Sequence, residues 1–94
     1  MLNLKFIEAL KELGVEEVVS CPGGRSAALL NQLINSKGFK IESFYDERSA
    51  GFYALGRSIK TDKPVVILTT SGSAVANVYP AILEAKYKEE GKLI

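Results

Sequence analysis

Three short stretches of this 94-residue chain carry side chains suited to chemistry: CPGGRS (21–26), YDERS (45–49) and TTSGS (69–73). The middle one places Glu47 and Arg48 where an apolar strand pattern gives way to a helical one. A carboxylate there has two readings. It is either a first-turn acid, modestly stabilised by the helix dipole, or a partly desolvated acid whose proton affinity is shifted far enough for proton exchange. The small residues behind it, Ser49, Ala50, Gly51, Ala54 and Gly56, weigh toward the second reading. A glycine inside a helix costs about 1 kcal/mol relative to alanine. Gly51 and Gly56 therefore point to close packing against another helix or a ligand.

The first stretch resembles a phosphate loop only superficially, because neither G-x-G-x-x-G nor G-x-x-x-x-G-K-[ST] is present. Pro22 and Gly23 suit a tight turn, with Ser26 capping the next helix. Arg25 needs more, since a cation near a helix N-terminus opposes the macrodipole and calls for an anion. That anion is either a neighbouring acid such as Glu47 or a carboxylate ligand. In TTSGS, Gly72 lets the backbone turn or approach a ligand, and Ser71 or Ser73 serves as a cap. Cys21 reads as a buried small hydrophobe rather than a nucleophile.

Composition removes several classes of function. The chain is 47% hydrophobic and 24% charged, with a formal net charge of +1, which leaves no footprint for nucleic acid or an anionic membrane. It contains no histidine and one cysteine, which rules out a Ser-His-Asp triad and an internal disulfide and argues against a zinc site. The single cysteine fits a reducing cytoplasm. No apolar run approaches the roughly 20 residues of a membrane span, and the start lacks a signal-peptide plan.

The elements that must position these stretches alternate. LNLKFIEALKELG has Phe6, Ile7, Leu10 and Leu13 at helical spacing with Gly14 as its C-cap, and VEEVVSC follows as a strand. SAALLNQLIN returns to helix until Lys37-Gly38 break it. FKIESFYD is a second strand and ERSAGFYALGRSIK the helix after it. TDKP turns into the continuous apolar strand VVILTT, as suits a strand covered on both faces. SAVANVYPAILEAKYKEEG is mostly helix, with Pro80 expected to start a new segment or kink the existing one. KLI looks like the start of another strand. This alternation predicts an α/β fold, a parallel sheet flanked by helices with right-handed crossovers. The three chemical stretches then lie along one edge, beyond the carboxyl ends of the strands, where such sheets bind ligands.

CPGGRSAALL, FYDERSAGFYALGRS and PVVILTTSGSAVANVYPAILEA together resemble a thiamine-diphosphate enzyme family, the 2-succinyl-5-enolpyruvyl-6-hydroxy-3-cyclohexene-1-carboxylate synthases of menaquinone biosynthesis. The family typically shows P-G-S-R-S, then D-E-R-[SG]-x-G-x-x-A-L-G, then T-S-G-T-A-x-A-N-x-x-P-A-x-x-E-A, and the likeness runs in order nearly end to end. It implies that Glu47 hydrogen-bonds N1′ of the cofactor's aminopyrimidine, favouring the imino tautomer whose 4′ nitrogen deprotonates C2 of the thiazolium. No histidine is then needed, because the cofactor supplies its own base and electron sink. It also implies that Arg25 contacts a substrate carboxylate, that Pro22, Thr70, Ser71 and Gly72 line the cofactor pocket, and that Arg48 makes structural ion pairs. The substrates implied are 2-oxoglutarate, which is decarboxylated, and isochorismate, which accepts the succinyl-semialdehyde unit.

The sequence departs from the family at Gly24, where serine is usual, removing a hydroxyl beside the substrate arginine; Ala28 and Ser73 are milder changes. Family members are several times longer and hold Mg²⁺ or Mn²⁺ through a G-D-G…N motif that has no counterpart here. The resemblance thus implies that residues 1–94 are the N-terminal part of a pyrimidine-binding domain, without the diphosphate-binding domain and inactive alone. It further implies a cytoplasmic enzyme working as a homo-oligomer, a dimer or tetramer. Two other readings stay open: another thiamine-diphosphate 2-oxoacid decarboxylase or synthase, and a stand-alone α/β binding module without catalysis.

Overall fold

The computed structural model of the chain describes residues 2–21, 27–69, 73–88 and 91–94. Seven elements alternate along it: α1 (Leu2–Glu12), β1 (Glu17–Ser20), α2 (Ala27–Asn35), β2 (Lys40–Ser43), α3 (Glu47–Thr61), β3 (Val65–Leu68) and α4 (Ser73–Lys88). The strands form one parallel sheet in the order β2-β1-β3, with Ser20 level with both Ser43 and Leu68. KLI does begin a further pairing: Leu93 bridges Val65 in parallel, and the Ile94 carbonyl accepts from Ile67 N–H at 2.8 Å.

The first helix ends as its sequence predicts. Gly14 has φ +89°, its N–H donates to the Lys11 carbonyl, and Val15 N–H donates back to Leu10. This is a Schellman closure, and its apolar contact is present, since Leu10 and Val15 are buried in one cluster. The buried stripe of α1 is narrower than its pattern suggested: Ile7 and Leu10 are buried, whereas Phe6 and Leu13 are 42% and 62% exposed.

Two apolar layers cover the sheet. Val18 and Val66 pack with Ile7, Leu10, Val15 and Leu33 on the side of α1 and α2. Val19, Cys21 and Val65 pack with Ala50 and Ala54 on the side of α3. Helix α4 lies against α3, where an added Cβ on Gly51 would stand 3.0 Å from Ala81 Cβ and 3.5 Å from Val78 Cγ1. Gly51 thus serves a helix–helix contact. Gly56 does not: it is exposed, and a Cβ there meets nothing within 4 Å. The expectation of close packing fails at Gly56, which is the helix's solvent side. Gly91, by contrast, is a close-approach position that periodicity did not reveal, because a Cβ there would collide with Leu55 and Ala85.

Pro80 starts no new segment, since α4 runs through it without a break. An interior proline costs about 3 kcal/mol or more. Burial of Val78, Ala81 and Ala85 on the flanking turns offsets that cost and holds the helix together.

Ion pairs gather at the amino edge of the sheet. The Arg57 guanidinium on α3 donates from Nε and Nη2 to the two carboxylate oxygens of Glu17 on β1, at 2.9 and 3.0 Å. Lys63 pairs with Glu16 at 2.7 Å, and Lys92 with Asp62 at 3.0 Å. The hydrogen bonds from Arg57 hold the Glu17 carboxyl below its usual range, against desolvation by burial, with the charges of Arg57 and Lys40 adding to the effect. Arg48, expected to make structural ion pairs, is exposed and forms none with another described residue. Arg57 plays that part, because it lies where α3 crosses the start of β1.

Paired substitutions test this packing. Gly56→Ala is expected to stabilise the chain by about 0.5–1 kcal/mol by removing a helix-interior glycine. Gly51→Val is expected to destabilise it by about 1–3 kcal/mol through overpacking against α4. Denaturant midpoints of the two variants and wild type decide both. The Glu17–Arg57 pair has its own signature. A carboxyl depressed in the folded state contributes fully above its unfolded value and loses that contribution as pH falls through the folded one. Melting temperatures should therefore show Glu17→Gln below wild type at neutral pH, with the gap closing on acidification below about pH 4.5.

Candidate functional site

The connections leaving the sheet point to the site. After β1 the chain passes to α2 on one face, while after β2 and β3 it passes to α3 and α4 on the other. Connections that part to opposite faces around a central strand leave a crevice beyond its carboxyl end, the usual ligand position in open parallel sheets. The ladder holds the three strand ends level there. Cys21 N–H donates to the Leu68 carbonyl at 2.8 Å, and Phe44 N–H to the Ser20 carbonyl at 2.9 Å.

Glu47 stands on this edge as the first residue of α3 and is half-buried. Among the described residues its carboxylate takes part in no hydrogen bond or ion pair. Asp46 immediately before it is the N-cap, with extended backbone at φ −97° and ψ 115°. One Asp46 oxygen accepts from Ser49 N–H at 3.2 Å and from the Ser49 hydroxyl at 2.6 Å. The first helical bond, Ala50 N–H to the Asp46 carbonyl, is 2.9 Å. The Ser49 hydroxyl and then its N–H hold the Asp46 carboxyl below its usual range, against desolvation, with smaller contributions from the Arg48 N–H and then the Arg48 charge. On the apolar side, the Phe44 and Tyr53 rings meet at 4.9 Å between centroids, tying the end of β2 to the second turn of α3.

Cys21 lies beneath this junction and is fully buried. Burial pushes its thiol up, and the charges of Glu47 and then Asp46 push it further. The thiol therefore stays protonated and serves as packing, as its sequence context suggested. The small residues after Glu47 also find their use in packing. Ala50 and Ala54 seat α3 on the sheet, Gly51 admits α4, and Ser49 belongs to the cap.

Of the residues singled out from sequence, Glu47 and Cys21 are brought together on this edge. Pro22, Gly24, Arg25, Thr70, Ser71 and Gly72 lie outside the described residues. A groove of about 570 Å³ lies away from Glu47, between α1 and α2 at the opposite face. Among the described residues no group of three or more His, Cys, Asp or Glu could hold a metal, and no helix is long and apolar enough to cross a membrane.

Two features escaped the sequence reading. The Asp46–Ser49 cap was legible in D-x-x-S ahead of a helical run. Ser20 carried no local signal: it is 1% exposed, and its hydroxyl has no hydrogen-bond partner among the described residues. Alternation along β1 puts it on the α1/α2 side with Val18, away from Glu47.

The chain is similar in sequence to several known proteins. The chain is 44% identical over 86 residues to the 2-succinyl-5-enolpyruvyl-6-hydroxy-3-cyclohexene-1-carboxylate synthase of Bdellovibrio bacteriovorus, a match covering 92% of this chain and 16% of that one. It is 49% identical over 83 residues to the synthase of the same name from Lysinibacillus sphaericus, covering 88% and 14%. The corresponding Enterococcus faecalis synthase is 51% identical over 82 residues, covering 87% and 14%. The aligned part is thus only 14–16% of these relatives. Residues 4–91 match the family described as thiamine pyrophosphate enzyme, N-terminal TPP binding domain. With that match spanning nearly its whole length, and with the parallel α/β sheet that carries it, the chain belongs to the thiamine pyrophosphate enzyme N-terminal domain family.

Proposed function

We propose that residues 1–94 are the N-terminal part of the pyrimidine-binding domain of a longer 2-succinyl-5-enolpyruvyl-6-hydroxy-3-cyclohexene-1-carboxylate synthase. Its substrates are 2-oxoglutarate and isochorismate, and its cofactor is thiamine diphosphate held with Mg²⁺ or Mn²⁺ by a domain outside this chain. The observation that carries this reading is Glu47: a half-buried carboxylate, unpaired among the described residues, at the N-terminus of α3 in a chain that matches a cofactor-binding family. The donor chemistry fits, because an acceptor oxygen suits a protonated ring nitrogen of an aminopyrimidine.

Bound thiamine diphosphate supplies the nucleophilic carbon and electron sink that decarboxylation of a 2-oxo acid requires. The chain's part is to hold a proton at one place. Glu47 accepts a hydrogen bond from the pyrimidine ring, and partial burial strengthens that bond relative to water. Cys21 below it remains a neutral thiol and brings no competing charge. Arg25 is assigned to a substrate carboxylate, with Gly24 beside it lacking the hydroxyl usual in the family. Pro22, Thr70, Ser71 and Gly72 are assigned to the cofactor pocket. The resemblance to the family further supports a cytoplasmic homo-oligomer.

The test is made in the full-length protein that carries these residues. Wild type should consume 2-oxoglutarate in the presence of isochorismate. Glu47→Gln should lower kcat by about 10²-fold or more, the usual scale for losing a proton-transfer group. Calorimetric titration should show weakened thiamine diphosphate binding in the same variant. Unimpaired turnover by Glu47→Gln would overturn the assignment.

A further inference from the structure

We propose that Asp46 is a positioning residue for Glu47, acting through the cap it builds rather than through contact with the reacting groups. This rests on the reading of Glu47 given above. Glu47 begins α3, where the backbone has few helical hydrogen bonds of its own to hold its direction. At that turn the holding bonds run to Asp46. Its carboxylate accepts both the N–H and the hydroxyl of Ser49, and its carbonyl takes the first helical N–H, from Ala50.

The rest of α3 cannot substitute for this. Ala50 and Ala54 fix the helix against Val19, Cys21 and Val65, and Gly51 fixes it against α4. Those contacts begin at the fourth residue of the helix, one turn beyond Glu47. Tyr45 on the other side is 94% exposed. Between Phe44, held to β1 and to the Tyr53 ring, and Ala50, held to the sheet, the chain is fastened by the Asp46–Ser49 bonds. Releasing them leaves α3 seated but frees its first turn, and Glu47 turns with it.

Asparagine retains an acceptor oxygen at the cap without the charge, whereas alanine retains neither. In the 94-residue chain, Asp46→Ala should speed amide hydrogen exchange at Ser49 and Ala50 by about tenfold, and Asp46→Asn by no more than about twofold. In the full-length protein, Asp46→Ala should weaken thiamine diphosphate binding and lower kcat by about tenfold each, with the KM for 2-oxoglutarate unchanged. Asp46→Asn should recover most of both. Ser49→Ala, which removes only the hydroxyl bond, gives a smaller loss in the same direction and serves if Asp46→Ala does not fold. Faster exchange in Asp46→Ala with unchanged cofactor affinity and kcat would sink the proposal. Asp46→Asn as damaging as Asp46→Ala would also sink it, by showing that the charge acts and not the cap. Glu47→Gln measured alongside separates the two claims. If it is inert, the reading of Glu47 fails. If it is crippled while Asp46→Ala is normal, only the role of Asp46 fails.

Discussion

The closeness with which α3 lies on the sheet governs this structure. Alanine at positions 50 and 54 lets the helix settle onto Val19, Cys21 and Val65 without bulky side chains between backbone and sheet. Glycine at 51 then allows α4 to reach the same helix from the outside, against Ala81 and Val78. Small residues forgo much of the burial energy that leucine or isoleucine supply at about 25 cal/mol per Å². What they provide is proximity. A helix this close to the sheet carries its first residue to the end of the central strand, and that first residue is Glu47.

The two edges of the sheet are built for different ends. At the amino edge, charges are paired across elements far apart in sequence: Arg57 with Glu17, Lys63 with Glu16, Lys92 with Asp62. Ser58 extends this edge inward, its hydroxyl donating to Leu55 and accepting from Lys92 N–H. At the carboxyl edge the acidic groups are left differently. Asp46 is spent on its own helix turn, while Glu47, over a neutral thiol, pairs with no other described residue. The cross-element ion pairs among the described residues thus gather at the end of the sheet opposite Glu47.

Much of this was legible beforehand because it is local. The period of α1 and its terminal Gly14, the β-branched runs of β1 and β3, and the Lys37-Gly38 break after α2 are patterns within a few residues. The parallel sheet followed from their alternation, and Glu47 at a strand–helix junction followed from the sheet. The errors came where local pattern had to stand for packing. Gly51 and Gly56 look alike in sequence, yet one meets α4 and the other meets solvent. Arg48 and Arg57 are both cations on one helix, but only Arg57 faces β1.

By itself, then, the sequence determined the element order, the fold class and the family. Each rests on short-range periodicity, turn chemistry and motif wording. Tertiary structure alone decided which glycine is a contact, that Arg57 pairs with Glu17, and that Ser20 is buried without a partner among the described residues while Cys21 lies under two carboxylates. Those outcomes depend on which face of an element meets which neighbour across 27 to 40 residues of chain. A pattern with a period of two or 3.6 residues gives the face and leaves the neighbour open.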